Sequence, residues 1–124
     1  MLRKVATFVG FSAIAWMTAS SASAQDAKAG ATVYARCAVC HSTVGKVSLG
    51  PPLNGIIGRK AASVPKFTYS SAMLAQAIKW DKASLDKFLS APQAMVPRTK
   101  MAFAGLPKAK DRQDVIAYMA TLKK

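Results

Sequence analysis

Cys37-Ala38-Val39-Cys40-His41 holds both cysteines and the single histidine of the chain. The spacing is C-x-x-C-H, the pattern for covalent attachment of a c-type haem. Two thiols about one helical turn apart can each add to one vinyl group of the porphyrin. The histidine directly after the second thiol is then held beneath the iron as its proximal ligand. A group bonded to the protein is not lost to dilution.

Other uses of the motif are weaker. A structural zinc site needs four Cys or His ligands, and this chain offers three. A thioredoxin-like redox pair needs a βαβ context, and no alternating strand pattern lies near the motif. A disulfide across two intervening residues stays open, because the compartment reads as oxidising.

That compartment is read from the N-terminus. Arg3 and Lys4 give a positive start, Val5 to Met17 is an apolar run, and Ala22-Ser23-Ala24 ends it with small residues. This is the pattern of a secretory signal peptide cut before Gln25. The run is short for a membrane anchor, since a span needs about 20 apolar residues. Residues 1–24 are therefore expected to be a cleaved leader and 25–124 a single domain. The expected location is the periplasm, where haem attachment to such motifs is at home.

Composition narrows the partners. The chain carries 18 Lys and Arg against five acids. Loss of Arg3 and Lys4 leaves 16 basic residues, so residues 25–124 carry a net charge of +11. Such a charge steers a protein toward acidic partners. Nucleic acid is the obvious candidate. The basic residues are scattered rather than gathered in one arm, and the chain reads as exported. An acidic redox protein fits better.

The remainder reads as all-α, with three to five helices wrapped around the haem. Asp26 can cap a first helix with Ala27, Gly30, Ala31 and Tyr34 on one face. Residues 42–68 lack periodicity, which a chain wrapping a flat cofactor explains. A short helix is predicted from Ser71 to Lys79, burying Met73, Leu74, Ala77 and Ile78. Asp81 caps another with Leu85, Phe88 and Leu89 inward, ending before Pro92. A last helix starts near Lys108, with Val115, Tyr118, Met119 and Leu122 on one face.

The second axial position is less determined. With His41 the only histidine, a bis-histidine haem is excluded. Methionine, lysine, the terminal amine or an open site remain. Met73 and Met119 fall at helical core spacing, the usual place for packing methionines. Met95 and Met101 are expected in the loop after Pro92. Met101 stands in the stiff loop from Pro97 to Gly105, which can hold a thioether against iron.

Several further segments occur in a familiar order. They are Gly50-Pro51-Pro52-Leu53-Asn54-Gly55-Ile56-Ile57-Gly58-Arg59-Lys60, Phe67-Thr68-Tyr69-Ser70, Trp80, Pro97-Arg98-Thr99-Lys100-Met101, and Asp114-Val115-Ile116-Ala117-Tyr118. With the haem motif they resemble the class I cytochromes c, both mitochondrial and small soluble bacterial ones. The resemblance covers essentially all of residues 25–124.

The resemblance implies one haem c per chain, bonded at Cys37 and Cys40, with His41 and Met101 on the iron. It implies that the Pro51 carbonyl orients His41. It places Arg59, Tyr69, Trp80 and Thr99 around the haem propionates, and Gly30, Tyr34 and Tyr118 at the crossing of the first and last helices. With both axial positions filled, the implied role is a one-electron carrier and not an enzyme. The implied partners are membrane-bound redox complexes, met only peripherally by a monomer. A quinol–cytochrome c reductase or, equally, a periplasmic dehydrogenase would be the donor, and an oxidase or a photosynthetic reaction centre the acceptor. Arg36, Arg98, Lys100, Lys108 and Lys110 are the expected docking residues. Two departures stand out: Phe88 where the mitochondrial pattern has tyrosine, and Arg98 where it has glycine. The four-helix c-type haem proteins that bind gases carry the motif near the C-terminus, whereas here it follows the first helix.

Overall fold

A computed structural model of the chain describes residues 24–124. The expected leader therefore lies outside the described residues, apart from Ala24. The described residues form five helices: α1 (Ala27–Ala38), α2 (Ser71–Leu74), α3 (Lys82–Ser90), α4 (Pro92–Met95) and α5 (Ala109–Thr121). The only strand-like pairing among them is an isolated bridge between Lys60 and Lys79. No helix among them is long and apolar enough to cross a membrane.

α1 begins where Asp26 turns extended and its carboxylate accepts from the N–H groups of Lys28 and Ala29. Those donors have no partner inside the helix, so the side chain supplies one. Gly30 and Tyr34 are buried, and Val33 and Cys37 pack against the core. Ala31, expected inward, is exposed. The inward stripe is shifted toward Val33, because α1 lies against α5 alone.

Gly30 makes that contact close. A Cβ added there would lie 1.9 Å from the Asp114 carbonyl oxygen. The two backbones meet at a distance only glycine permits. The junction is reinforced by polar groups. Asp114 accepts from the Asp26 N–H at 2.9 Å and pairs with Lys110.

α3 starts with a capping box between Asp81 and Ser84. It buries Leu85, Phe88 and Leu89 as expected. Arg112 ties it to α5 by donating to Asp86 at 2.8 Å. The same guanidinium donates to the Leu106 carbonyl at 2.8 Å. Val96, Leu106 and Val115 form the densest part of the core, at 0%, 1% and 0% exposure. Side chains this deep contribute about 1.5–3 kcal/mol each.

Two segments differ from expectation. The helix predicted for Ser71–Lys79 stops at Leu74. Leu74 is 62% exposed and Ala77 is also exposed. The following residues pair instead with the chain at 59–61. Ala61 N–H donates to the Ile78 carbonyl at 2.9 Å, and Trp80 N–H to the Arg59 carbonyl at 2.8 Å. The residues after Pro92 form α4 rather than a loop, with Pro92 in its first turn. Proline's missing N–H is no loss at that position.

Candidate haem site

α1 delivers the motif. Its last turn carries Cys37, and the N–H groups of Cys40 and His41 both donate to the Cys37 carbonyl, at 3.0 and 2.9 Å. This tight turn brings both thiols and the imidazole to one wall of a cavity. No disulfide joins the two cysteines.

The cavity holds about 450 Å³. Cys37, Cys40, His41, Pro51, Arg59, Tyr69, Trp80, Thr99 and Met101 all line it. Every residue expected at the site from sequence is thus brought together. Met73 and Met119 line it too, whereas Met95 does not. Leu53, Ile56, Leu85, Phe88 and Val115 supply apolar walls.

His41 is held on several sides. Its Nδ1 lies 2.6 Å from the Pro51 carbonyl oxygen. A carbonyl only accepts, so the proton sits on Nδ1 and Nε2 keeps its lone pair. Burial pulls the imidazole below its ordinary pKa, opposed by the Pro51 bond. Burial thus favours the neutral ring, and the Pro51 bond fixes its orientation. Gly50 also lies close against the ring. A Cβ added there would lie 2.6 Å from His41 Cε1. The resemblance implies no such task for Gly50; its place directly before Pro51 is the available signal. Tyr34 was placed only at the helix crossing. Its hydroxyl also donates to the His41 carbonyl at 3.1 Å, and burial pushes that hydroxyl up to about 12.

Another part of the wall is rich in donors. Arg59 is half-buried and donates to the carbonyls of Pro52, at 2.7 Å, and Asn54. Burial draws its guanidinium below the ordinary value, yet no carboxylate lines the cavity. The Tyr69 hydroxyl accepts from Val64 N–H at 3.2 Å. The Thr99 hydroxyl accepts from Met101 N–H at 3.2 Å. Both therefore keep a proton free to donate. A desolvated cation and two free donors facing no anion suit a ligand that brings its own carboxylates. Haem, with two propionates and an apolar ring, has that chemistry.

The expected docking residues separate. Arg36 and Lys100 line the cavity and are exposed, which puts them on its rim. Lys100 Nζ donates to the Thr68 carbonyl at 3.1 Å. Arg98 and Lys108 are exposed but off the wall. Lys110 is engaged by Asp114 and by the Ala24 carbonyl, at the α1–α5 junction.

The chain is 45% identical over 111 residues to cytochrome c2 from Rhodomicrobium vannielii, covering 88% of each sequence. It is 49% identical over 100 residues to cytochrome c from Euglena viridis, covering 79% of this chain and 98% of that one. Among solved structures, cytochrome cH from Methylobacterium extorquens superposes with a TM-score of 0.74 at 38% identity. That match covers 77% of this chain and 98% of the other. A model of the family described as cytochrome c matches residues 27–123. Members carry covalently attached haem c and are electron carriers rather than enzymes. The match runs unbroken from the first residue of α1 past the end of α5, through every element that builds the cavity. The chain therefore has the all-α cytochrome c fold and belongs to the class I cytochromes c.

Proposed function

We propose that this chain carries single electrons between membrane-bound redox complexes through a haem held axially by His41 and Met101. The observation that carries the reading is the convergence of all nine expected residues on one cavity. Haem iron supplies the one-electron couple.

The chain's own residues do the rest. Cys37 and Cys40 anchor the ring. His41 offers Nε2 to the metal, and the Pro51 carbonyl raises its basicity. Met101 would supply the second ligand, on a loop fixed by Thr99 N–H donating to the Val96 carbonyl at 3.1 Å. A thioether favours the reduced state and raises the potential. Arg59, Tyr69, Trp80 and Thr99 hold the propionates. The apolar walls would keep water from a bound haem, so that little need reorganise on electron transfer. His41 and Met101 together would leave the iron no open position for a substrate.

Arg36 and Lys100 on the rim, with exposed Leu49 beside them, suit brief docking on an acidic partner. Quinol–cytochrome c reductase as donor and an oxidase or photosynthetic reaction centre as acceptor fit that role. Residues 1–24 are read as a leader removed on export to the periplasm, and the carrier as a monomer.

Substitution separates the methionines. Met101→Ala should abolish the sulfur-to-iron absorption band and admit cyanide or carbon monoxide. Met95→Ala should leave both properties largely intact. The reverse pattern would move the ligand to α4. No effect from either would favour Met73, Met119, a lysine or an open site.

A further inference from the structure

Three consecutive carbonyls around His41 are each tied by one donor. The Cys40 carbonyl accepts from Gly50 N–H at 2.9 Å, and the Ser42 carbonyl from Leu53 N–H at 2.9 Å. Both donors belong to the loop that also supplies Pro51. The His41 carbonyl is different, because its donor is the Tyr34 hydroxyl, 3.1 Å away. Tyr34 lies in the middle of α1 at 3% exposure. Its ring packs on Tyr118 of α5 with centroids 5.1 Å apart. Phenylalanine would fill the same space in that crossing. A hydroxyl there is needed only by His41.

We propose that Tyr34 is a positioning residue for the axial histidine, fixing the His41 backbone to the crossing of α1 and α5. The proposal rests on His41 being the axial ligand. Through this bond the packing of two helices, and not only the Pro51 loop, sets the orientation of the imidazole. The bond also has an electrostatic consequence. The hydroxyl dipole points its positive end at His41, which favours the extra electron of the reduced state.

The test uses the haem-loaded protein and compares two isosteric substitutions. Tyr34→Phe removes the hydroxyl from His41. Tyr118→Phe removes a hydroxyl from the same crossing, one that makes no bond to His41. Two readouts report position rather than stability: the hyperfine-shifted proton resonances of His41 in the oxidised protein, and the midpoint potential. Tyr34→Phe should shift those resonances and lower the potential, while Tyr118→Phe moves neither. Placing 3-fluorotyrosine at position 34 strengthens the donor and should raise the potential. It keeps the question decidable if the phenylalanine variant loads haem poorly. Unchanged His41 resonances and potential in Tyr34→Phe would overturn the proposal, as would equal shifts in Tyr118→Phe. If the unaltered protein lacks hyperfine-shifted His41 resonances, the axial role of His41 itself fails, and the positioning role with it.

Discussion

Gly50 and His41 show how little freedom the site leaves a single atom. An added methyl at Gly50 meets the imidazole at Cε1 and Nδ1, at 2.6 and 2.8 Å. The ring cannot yield easily, since its Nδ1 is bonded to Pro51 of the same loop. Gly50→Ala should therefore cost about 1–3 kcal/mol of stability, as overpacking does, and should shift the His41 resonances. Denaturant unfolding of the haem protein would check the first effect. A variant as stable as the parent would mean that the loop, not the ring, gives way. Arg98 departs in the other direction. Its φ is +57°, in the left-handed region where glycine is at ease, and the resemblance flagged that position as one where relatives carry glycine. The identities of the site residues were thus legible from motif spacing. Their contacts were not. That Gly50 touches the imidazole and Tyr34 reaches the His41 carbonyl depends on how distant segments close on one another, which no local pattern encodes.

At the scale of elements, legibility followed the strength of local signals. α1 and α3 each begin at a capping aspartate, and the start of α5 and its inward Val115 and Met119 follow the 3.6-residue period. α2 failed because non-local hydrogen bonds to residues 59–61 outcompete its last turn. α4 failed because Pro92 was read as a stop and serves as a start. The junction of α1 and α5 carries a pH-dependent tie that the sequence did not reveal. Asp114 is 4% exposed. Its carboxyl is held below the ordinary range first by the Lys110 ammonium and then by the Asp26 N–H, against the opposing effect of burial. A folded value below the unfolded one, about 3.9, means that ionised Asp114 stabilises the fold above that pH. The contribution is lost as pH falls through the folded value. Asp114→Asn should therefore lower stability at neutral pH, and the gap from the parent should shrink in acid. Guanidinium midpoints measured across that range would show it. A gap that stays constant would assign the effect to packing alone.

Across the whole molecule, the five carboxylates and the cavity occupy different places. Asp26 and Asp81 cap helices, Asp86 pairs with Arg112 and Asp114 with Lys110, and none of the five lines the cavity. The rim keeps Arg36, Lys60 and Lys100 exposed. The net charge was legible from composition, but its distribution was not, because it depends on which basic residues the fold spends on internal pairs. Lys110, expected at the docking face, is one of those spent. A positive rim should make electron transfer depend on the sign of the reagent. Oxidation of the reduced protein by ferricyanide, an anion, should slow steeply as salt is raised. Oxidation by tris(1,10-phenanthroline)cobalt(III), a cation, should quicken. At 0.15 M salt the Debye length is about 8 Å, so charges on the rim are felt while remote ones are largely screened. Arg36→Glu and Lys100→Glu should each slow the ferricyanide reaction and flatten its salt dependence. Lys123→Glu, near the chain end and absent from the cavity wall, changes the net charge equally and should do much less. Stopped-flow rates against ionic strength decide between a local and a global effect. If all three variants respond alike, net charge and not the rim governs approach. If none responds, exit of electrons is controlled by the apolar part of the rim around Leu49.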